Sequence, residues 1–234
     1  IDLGIETKKT QILGNIKFDI TAPQQFIERA SELKREWTLQ GRKIITLAST
    51  HAPEEQQLMA ELKAALDTDP NLLCIVVPRH PERFDEVFQA AQALNLTTQR
   101  RSLEQKIEAD TQIYLADSMG EMWLWYALSQ VCYVGGSLNE PGGGHNILEP
   151  IALNVPTILG KNYFNFQTIV DEFVDAQAVV VVENAEQAAQ TMLEILSDSP
   201  KALTLNTAAQ KIMQQNQGSL AKHIAHSQLI LIDE

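Results

Sequence analysis

The residues best suited to chemistry lie in one run, Gly135-Gly136-Ser137-Leu138-Asn139-Glu140-Pro141-Gly142-Gly143-Gly144-His145-Asn146-Ile147-Leu148-Glu149-Pro150. It follows a hydrophobic strand pattern, Val131-Cys132-Tyr133-Val134, and leads through five glycines to a helix pattern that opens on polar side chains. Glycine leaves no Cβ between a ligand and the backbone N–H groups, and a helix N-terminus turns a positive dipole end toward an anion. Pro150 has no N–H and fits only a first helical turn, so a helix is expected to start near Gly144 to Asn146. Glu149 comes three residues after Asn146, so both can face one ligand, and a carboxylate there suits the adjacent hydroxyls of a ribose. The chemistry is that of holding an anion and a sugar.

Other candidates stand where strand patterns end. Arg79 lies in Pro78-Arg79-His80-Pro81, a stretch stiffened by two prolines, where its guanidinium could fork onto a phosphate rather than serve as a solvated surface arginine. Ser118-Met119-Gly120-Glu121 matches the S-x-x-E capping box ahead of the apolar run Met122-Trp123-Leu124-Trp125-Tyr126. The N–H groups of Gly120, Glu121 and Met122 could instead bond a base or phosphate, and both uses are compatible. His145, at the expected helix start, is pushed toward its neutral form and could donate to a substrate oxygen or simply cap its helix. His51 and His80 are similar cases.

Short β-branched runs and helical patterns alternate, as in a parallel sheet covered by helices on both faces. Strands are expected at Lys43 to Ala48, Leu72 to Val77, Thr111 to Leu115, Val131 to Val134, Pro156 to Leu159 and Ala178 to Val182. Helices are expected at Pro53 to Leu66, Pro81 to Leu94, Met119 to Ser129, Asn146 to Leu153, Asn165 to Phe173 and Ala185 to Leu196. Two amphipathic helices, Lys201 to Gln217 and Ser219 to Ile232, follow without a strand between them. Residues 1–20 read as an entry segment with a short strand around Ile12 to Phe18, residues 21–200 as a Rossmann-like α/β domain, and 201–234 as C-terminal helices. In such a sheet ligands bind beyond the carboxyl ends of the strands. Ser49 and His51, Pro78 and Arg79, Met119 to Met122, and the glycine loop all fall on that rim.

The chain of 234 residues is 44% hydrophobic, enough for a full core, and its 18 basic against 30 acidic residues give a net charge of −12. That balance argues against nucleic acid or an anionic membrane surface as a partner, so an anionic ligand must be held locally. Cys74 and Cys132 sit in strand patterns and are expected to be reduced core thiols of a cytosolic protein. No apolar run approaches the ~18 residues of a membrane span. The opening on Ile1 rather than Met is what a piece of a longer protein would show. No metal is expected, because no cluster of Cys, His and carboxylates has ligand spacing. The loop matches neither G-x-G-x-x-G nor G-x-x-x-x-G-K-S/T, and a G-x-S-x-G nucleophile elbow is absent from the sequence. A nucleotide-sugar site remains.

These residues resemble the C-terminal, donor-binding domain of 3-deoxy-D-manno-octulosonic acid (Kdo) transferases, glycosyltransferases of the two-domain GT-B type. The resemblance runs over nearly the whole chain. It is carried by Gly14-Asn15-Ile16-Lys17-Phe18-Asp19, Ala48-Ser49-Thr50-His51, Val77-Pro78-Arg79-His80-Pro81-Glu82-Arg83-Phe84, Asp117-Ser118-Met119-Gly120-Glu121-Met122 and Gly135-Gly136-Ser137-Leu138. Gly143-Gly144-His145-Asn146, Leu148-Glu149-Pro150 and Asn162-Tyr163-Phe164-Asn165-Phe166 complete it. It implies a CMP-Kdo site formed by Ser49, His51, Pro78, Arg79, Met119, Gly120, Glu121, Met122, Gly136, Ser137, His145, Asn146, Ile147, Leu148 and Glu149. Pro78 and Arg79 would contact the CMP part. No cofactor is implied.

The resemblance further implies transfer of Kdo to a lipid A precursor at the cytoplasmic face of the bacterial inner membrane. Its general base is a glutamate in an N-terminal, acceptor-binding domain, for which this sequence holds no counterpart. Membrane association would fall mainly to that half, leaving this domain soluble. The loop Asn139 to Gly144 is one residue longer than the family's pattern and lacks its frequent arginine. Two rivals are a transferase of the same type using a UDP-sugar, and a non-catalytic nucleotide-sugar-binding module.

Overall fold

A computed structural model describes residues 11–232. Its strands are β1 (Lys43–Thr50), β2 (Leu72–Pro78), β3 (Thr98–Arg100), β4 (Ile113–Leu115), β5 (Val131–Val134), β6 (Thr157–Gly160) and β7 (Val180–Val182). The helices are α1 (Gln24–Glu36), α2 (Glu54–Thr68), α3 (Phe84–Ala93), α4 (Met122–Leu128), α5 (Leu148–Ala152), α6 (Gln167–Asp175), α7 (Ala185–Ser197), α8 (Ser199–Asn216) and α9 (Ser219–Ile232). All seven strands are parallel and lie in the order β3-β4-β2-β1-β5-β6-β7.

The side-chain alternation of a strand explains why both faces carry helices. Ile45 and Leu47 of β1, with Cys74 and Val76 of β2, pack against α2, α3 and α7. Their neighbours Ile44, Leu73, Ile75 and Val77 face α1 and α4 on the other side. Ala48, Cys132 and Val134 bury α5, α6 and α8 on that same side. Cys74 and Cys132 are buried free thiols, and burial pushes both pKa values up, that of Cys132 to about 12.

The order of strands reverses between β1 and β5, whose chains leave toward opposite edges of the sheet. A crevice opens where two such connections diverge, beyond the carboxyl ends of the strands. At that point β1 carries a bulge, with a register shift between Ala48 and Thr50 and Ser49 at φ 51°, a left-handed conformation that a serine adopts only under restraint.

Several expectations need correction. The strand expected at Ile12 to Phe18 is a 3₁₀ turn over Ile16–Phe18, because the Asn15 side chain accepts from Lys17 N and turns the backbone, while Phe18 stacks on Phe173. Residues 1–10 of the expected entry segment, and 233–234 of the C-terminal helices, lie outside the described residues. Helix α1 and edge strand β3 are additions. Phe26, Ala30, Leu33 and Trp37 do repeat at helical spacing, whereas Thr98-Gln99-Arg100 is polar and only half buried. Helix α8 packs on this domain through Leu205, Ala209, Ile212 and Met213, and Asp19 clamps the start of α9 by accepting from Gly218 N and Leu220 N.

Candidate functional site

A cleft of about 210 Å³ lies at the switch point. One wall is Ser49 with the end of β2, Val77, Pro78 and Arg79; the other is Ser118, Met119, Gly120 and Met122 ahead of α4, with Glu149 of α5. Arg79 is exposed, its backbone N–H is tied to Thr50 O, and its guanidinium has no ion-pair or hydrogen-bond partner among the described residues. The arginines behind it are engaged: Arg83 with Glu55 and Glu86, Arg100 with Asp85 and Asp117, Arg101 with Glu121. Arg79 is thus the one guanidinium of this wall open to an incoming anion.

Across the cleft, Asn146 accepts from Leu148 N through Oδ1, ending the loop and starting α5 at Leu148, later than the expected Gly144 to Asn146. The same side chain donates from Nδ2 to Glu149 Oε1 at 3.3 Å, which orients the carboxylate. Burial raises the Glu149 pKa, and the Asn146 hydrogen bond opposes that rise. Helix α4 likewise starts late, at Met122, and the S-x-x-E sequence does not close as a capping box. Ser118 Oγ bonds the Glu121 carboxylate, which Arg101 holds through two hydrogen bonds at 2.7 and 2.9 Å. Burial alone would raise the Glu121 pKa; Arg101 and Ser118 outweigh it and lower it. The N–H groups of Gly120, Glu121 and Met122 have no partner among the described residues, and Gly120 and Met122 line the cleft.

The glycine loop works differently from the expectation. Its N–H groups at Gly136, Ser137 and Leu138 donate to the carboxylate of Glu54, which also accepts from His51 N and the Tyr133 hydroxyl. Glu54 is wholly buried. The anion gathered by the first turn of this loop is therefore an internal one. Ser137 is buried too, its Oγ donating to Val134 O and accepting from Gly160 N. Gly135 lets this turn press on β1, since a Cβ there would come within 2.7 Å of Thr50 Cα.

Beyond Gly136 lie the histidines. His51 Nε2 and His145 Nε2 are 2.8 Å apart, and His80 meets the His51 ring edge-on at a centroid distance of 4.9 Å. A Cβ at Gly136, whose φ is +67°, would lie 2.9 Å from the His145 ring. Burial, then the charges of His51 and Arg79, lower the His145 pKa to about 4, and burial lowers that of His51. Both are neutral at physiological pH.

Of the residues expected from sequence, Ser49, Pro78, Arg79, Met119, Gly120, Met122 and Glu149 line the cleft, and His51, His145 and Asn146 stand beside it. Gly136, Ser137 and Glu121 instead hold the walls in place, while the side chains of Ile147 and Leu148 belong to the core. The residue missed is Glu54. A glutamate in the first turn of a helix is ordinary dipole chemistry, and nothing in the sequence marks this one as buried beneath a loop 82 residues away.

Residues 31–212 match the sequence profile of the group 1 glycosyl transferases. Among curated relatives, a 3-deoxy-D-manno-octulosonic acid transferase of Haemophilus influenzae is 37% identical over 94% of this chain and 51% of its own length. That of Bordetella pertussis is 32% identical over 85% and 46%. The chain thus spans about half the length of these relatives. Among solved structures, the C-terminal CMP-Kdo binding domain of WaaA from Acinetobacter baumannii is 59% identical with a TM-score of 0.81, covering 82% of this chain and 100% of that domain. HepE from Anabaena, in complex with UDP and glucose, shares the fold at 16% identity and a TM-score of 0.56, over 98% of this chain and 58% of its own.

Proposed function

The chain belongs to the group 1 glycosyl transferases, on the Kdo transferase branch, and we propose that it is the half that binds the donor, CMP-Kdo. The observation carrying this reading is the unpaired Arg79 guanidinium on one wall of a switch-point cleft whose opposite wall presents the Glu149 carboxylate. Arg79 binds the phosphate of CMP, with the N–H groups before α4 beside it. Glu149, oriented by Asn146, takes the ribose hydroxyls, and Pro78 and Met119 pack on the nucleotide.

In the reaction the acceptor hydroxyl oxygen bonds to the anomeric carbon of Kdo as the bond from that carbon to the phosphate oxygen breaks. The electron pair leaves with CMP, and Arg79 meets the charge that develops there. The hydroxyl proton passes to a base that another half of the enzyme supplies. That half brings the lipid A precursor across the cleft and orients it, at the cytoplasmic face of the inner membrane. Residues 1–20 are the entry from it, 21–200 the donor domain, and 201–234 the closing helices. No helix among the described residues is long and apolar enough to cross a membrane.

A diphosphate donor would bring more negative charge than a single guanidinium matches. Thermal unfolding with CMP, UMP and UDP tests the assignment. CMP at ~100 times its dissociation constant should stabilise the fold by ~2.7 kcal/mol. Stronger stabilisation by UDP would replace the reading with that of a UDP-sugar transferase.

A further inference from the structure

CMP-Kdo carries two anions. Kdo is a sugar acid whose carboxyl group is attached to the same carbon as the phosphate oxygen, so the carboxylate must be received immediately beside the phosphate. The cleft wall offers one unpaired guanidinium, Arg79, for the pair of them. The other groups capable of positive charge next to it are the histidines, half-buried and held as a unit by the 2.8 Å contact between His51 Nε2 and His145 Nε2. Their rings lie within 16° of one plane. Gly136 is shaped for them, since any side chain there would strike the His145 ring.

We propose that the His51–His145 pair is the receptor for the carboxylate of the donor sugar. The inference rests on the donor-half reading and adds to it a second subsite. The contact uses Nε2 of both rings, and neither Nδ1 has a partner among the described residues. In the neutral pair one ring donates from Nε2, so only the other carries an Nδ1–H. One added proton puts an N–H on both outer Nδ1 atoms and a single positive charge on the pair, whichever ring meets the carboxylate.

The groups facing the pair are consistent with a site that is neutral when empty and charged when filled. Arg79 and His80 oppose protonation; Glu54 and Glu55 favour it. Glu54 is already engaged with backbone N–H groups and Tyr133, and Glu55 with Arg83. An arriving carboxylate offsets Arg79 and stabilises the added proton, so binding takes one up.

Calorimetry on this chain with CMP-Kdo, its C1 methyl ester and CMP tests the proposal. The acid and the ester share base, ribose and phosphodiester, so the ratio of their affinities isolates the carboxylate. The ratio should favour the acid by at least about tenfold near pH 5.5 and fall by up to about tenfold per pH unit toward neutrality. His145→Gln should flatten that dependence, and His51→Gln should do the same, which guards against one variant failing to fold. A ratio near one at every pH, with CMP still bound, would overturn the carboxylate site and leave the nucleotide reading standing. Failure to bind CMP at all would sink the nucleotide reading and this proposal with it.

Discussion

The Glu54 carboxylate of α2 accepts the backbone N–H of Gly136 at 2.7 Å, joining the helix after β1 to the loop after β5 across the switch point of the sheet. With His51, Ser137, Leu138 and Tyr133 as further donors, one buried side chain sets the relative position of the two segments that carry His51 and His145. The site is thus built on an internal anion.

Glu54→Gln keeps the shape but turns one oxygen into an NH₂ that faces N–H or O–H donors. Charged hydrogen bonds contribute roughly 1.5 to 3 kcal/mol each, so the loss of two should cost about 3 kcal/mol or more. Urea unfolding measures it. A cost below about 0.5 kcal/mol would mean that the loop holds its shape without the carboxylate.

How much of this was legible in the sequence depends on how local each signal is. The strand Val131–Val134 is a run of apolar and β-branched residues bounded by Gly135, and it forms where the pattern places it. The rim position of Arg79 follows from Pro78 ending β2, because strand ends in a parallel sheet converge. Helices α5 and α4 start at Leu148 and Met122, later than the pattern at Gly144 to Asn146 and at Met119 suggests, since glycines and a Ser-x-x-Glu spacing allow a helix there without requiring one. Ser118 bonded the Glu121 side chain and Arg101 took its charge, a partnership between residues 20 apart that local pattern does not record. Glu54 was illegible for the same reason.

The lowered pKa of His145 has a consequence for stability. The unfolded chain takes up a proton on this histidine as pH falls through about 6.5, while the folded protein resists until about 4. The unfolded state therefore binds more protons within that window, and stability declines as pH drops through it. His145→Gln should make the loss between pH 6.5 and pH 4.5 shallower in denaturant titrations. An unchanged slope would locate the acid sensitivity elsewhere.

Glu149 has a raised pKa, and its charged form offers an acceptor on each oxygen and makes the stronger, charge-assisted hydrogen bonds to the two ribose hydroxyls, whereas protonation turns one oxygen into a donor. CMP affinity should therefore strengthen as pH rises through the acid range above the ordinary carboxylate value. Glu149→Gln should weaken CMP with little change in melting temperature, and weaken 2′,3′-dideoxy-CMP less. Equal weakening of the two ligands would make the residue part of the scaffold.

The central claim is that the cleft holds the phosphate of CMP on Arg79, and calorimetric titration of CMP and cytidine into the wild-type chain and Arg79→Ala tests it most directly. Wild type should bind CMP, and the variant should lose about tenfold or more of that affinity while cytidine binding changes far less, since only CMP carries the charge. Absence of CMP binding to the wild-type chain, or equal losses for CMP and cytidine, would contradict the account.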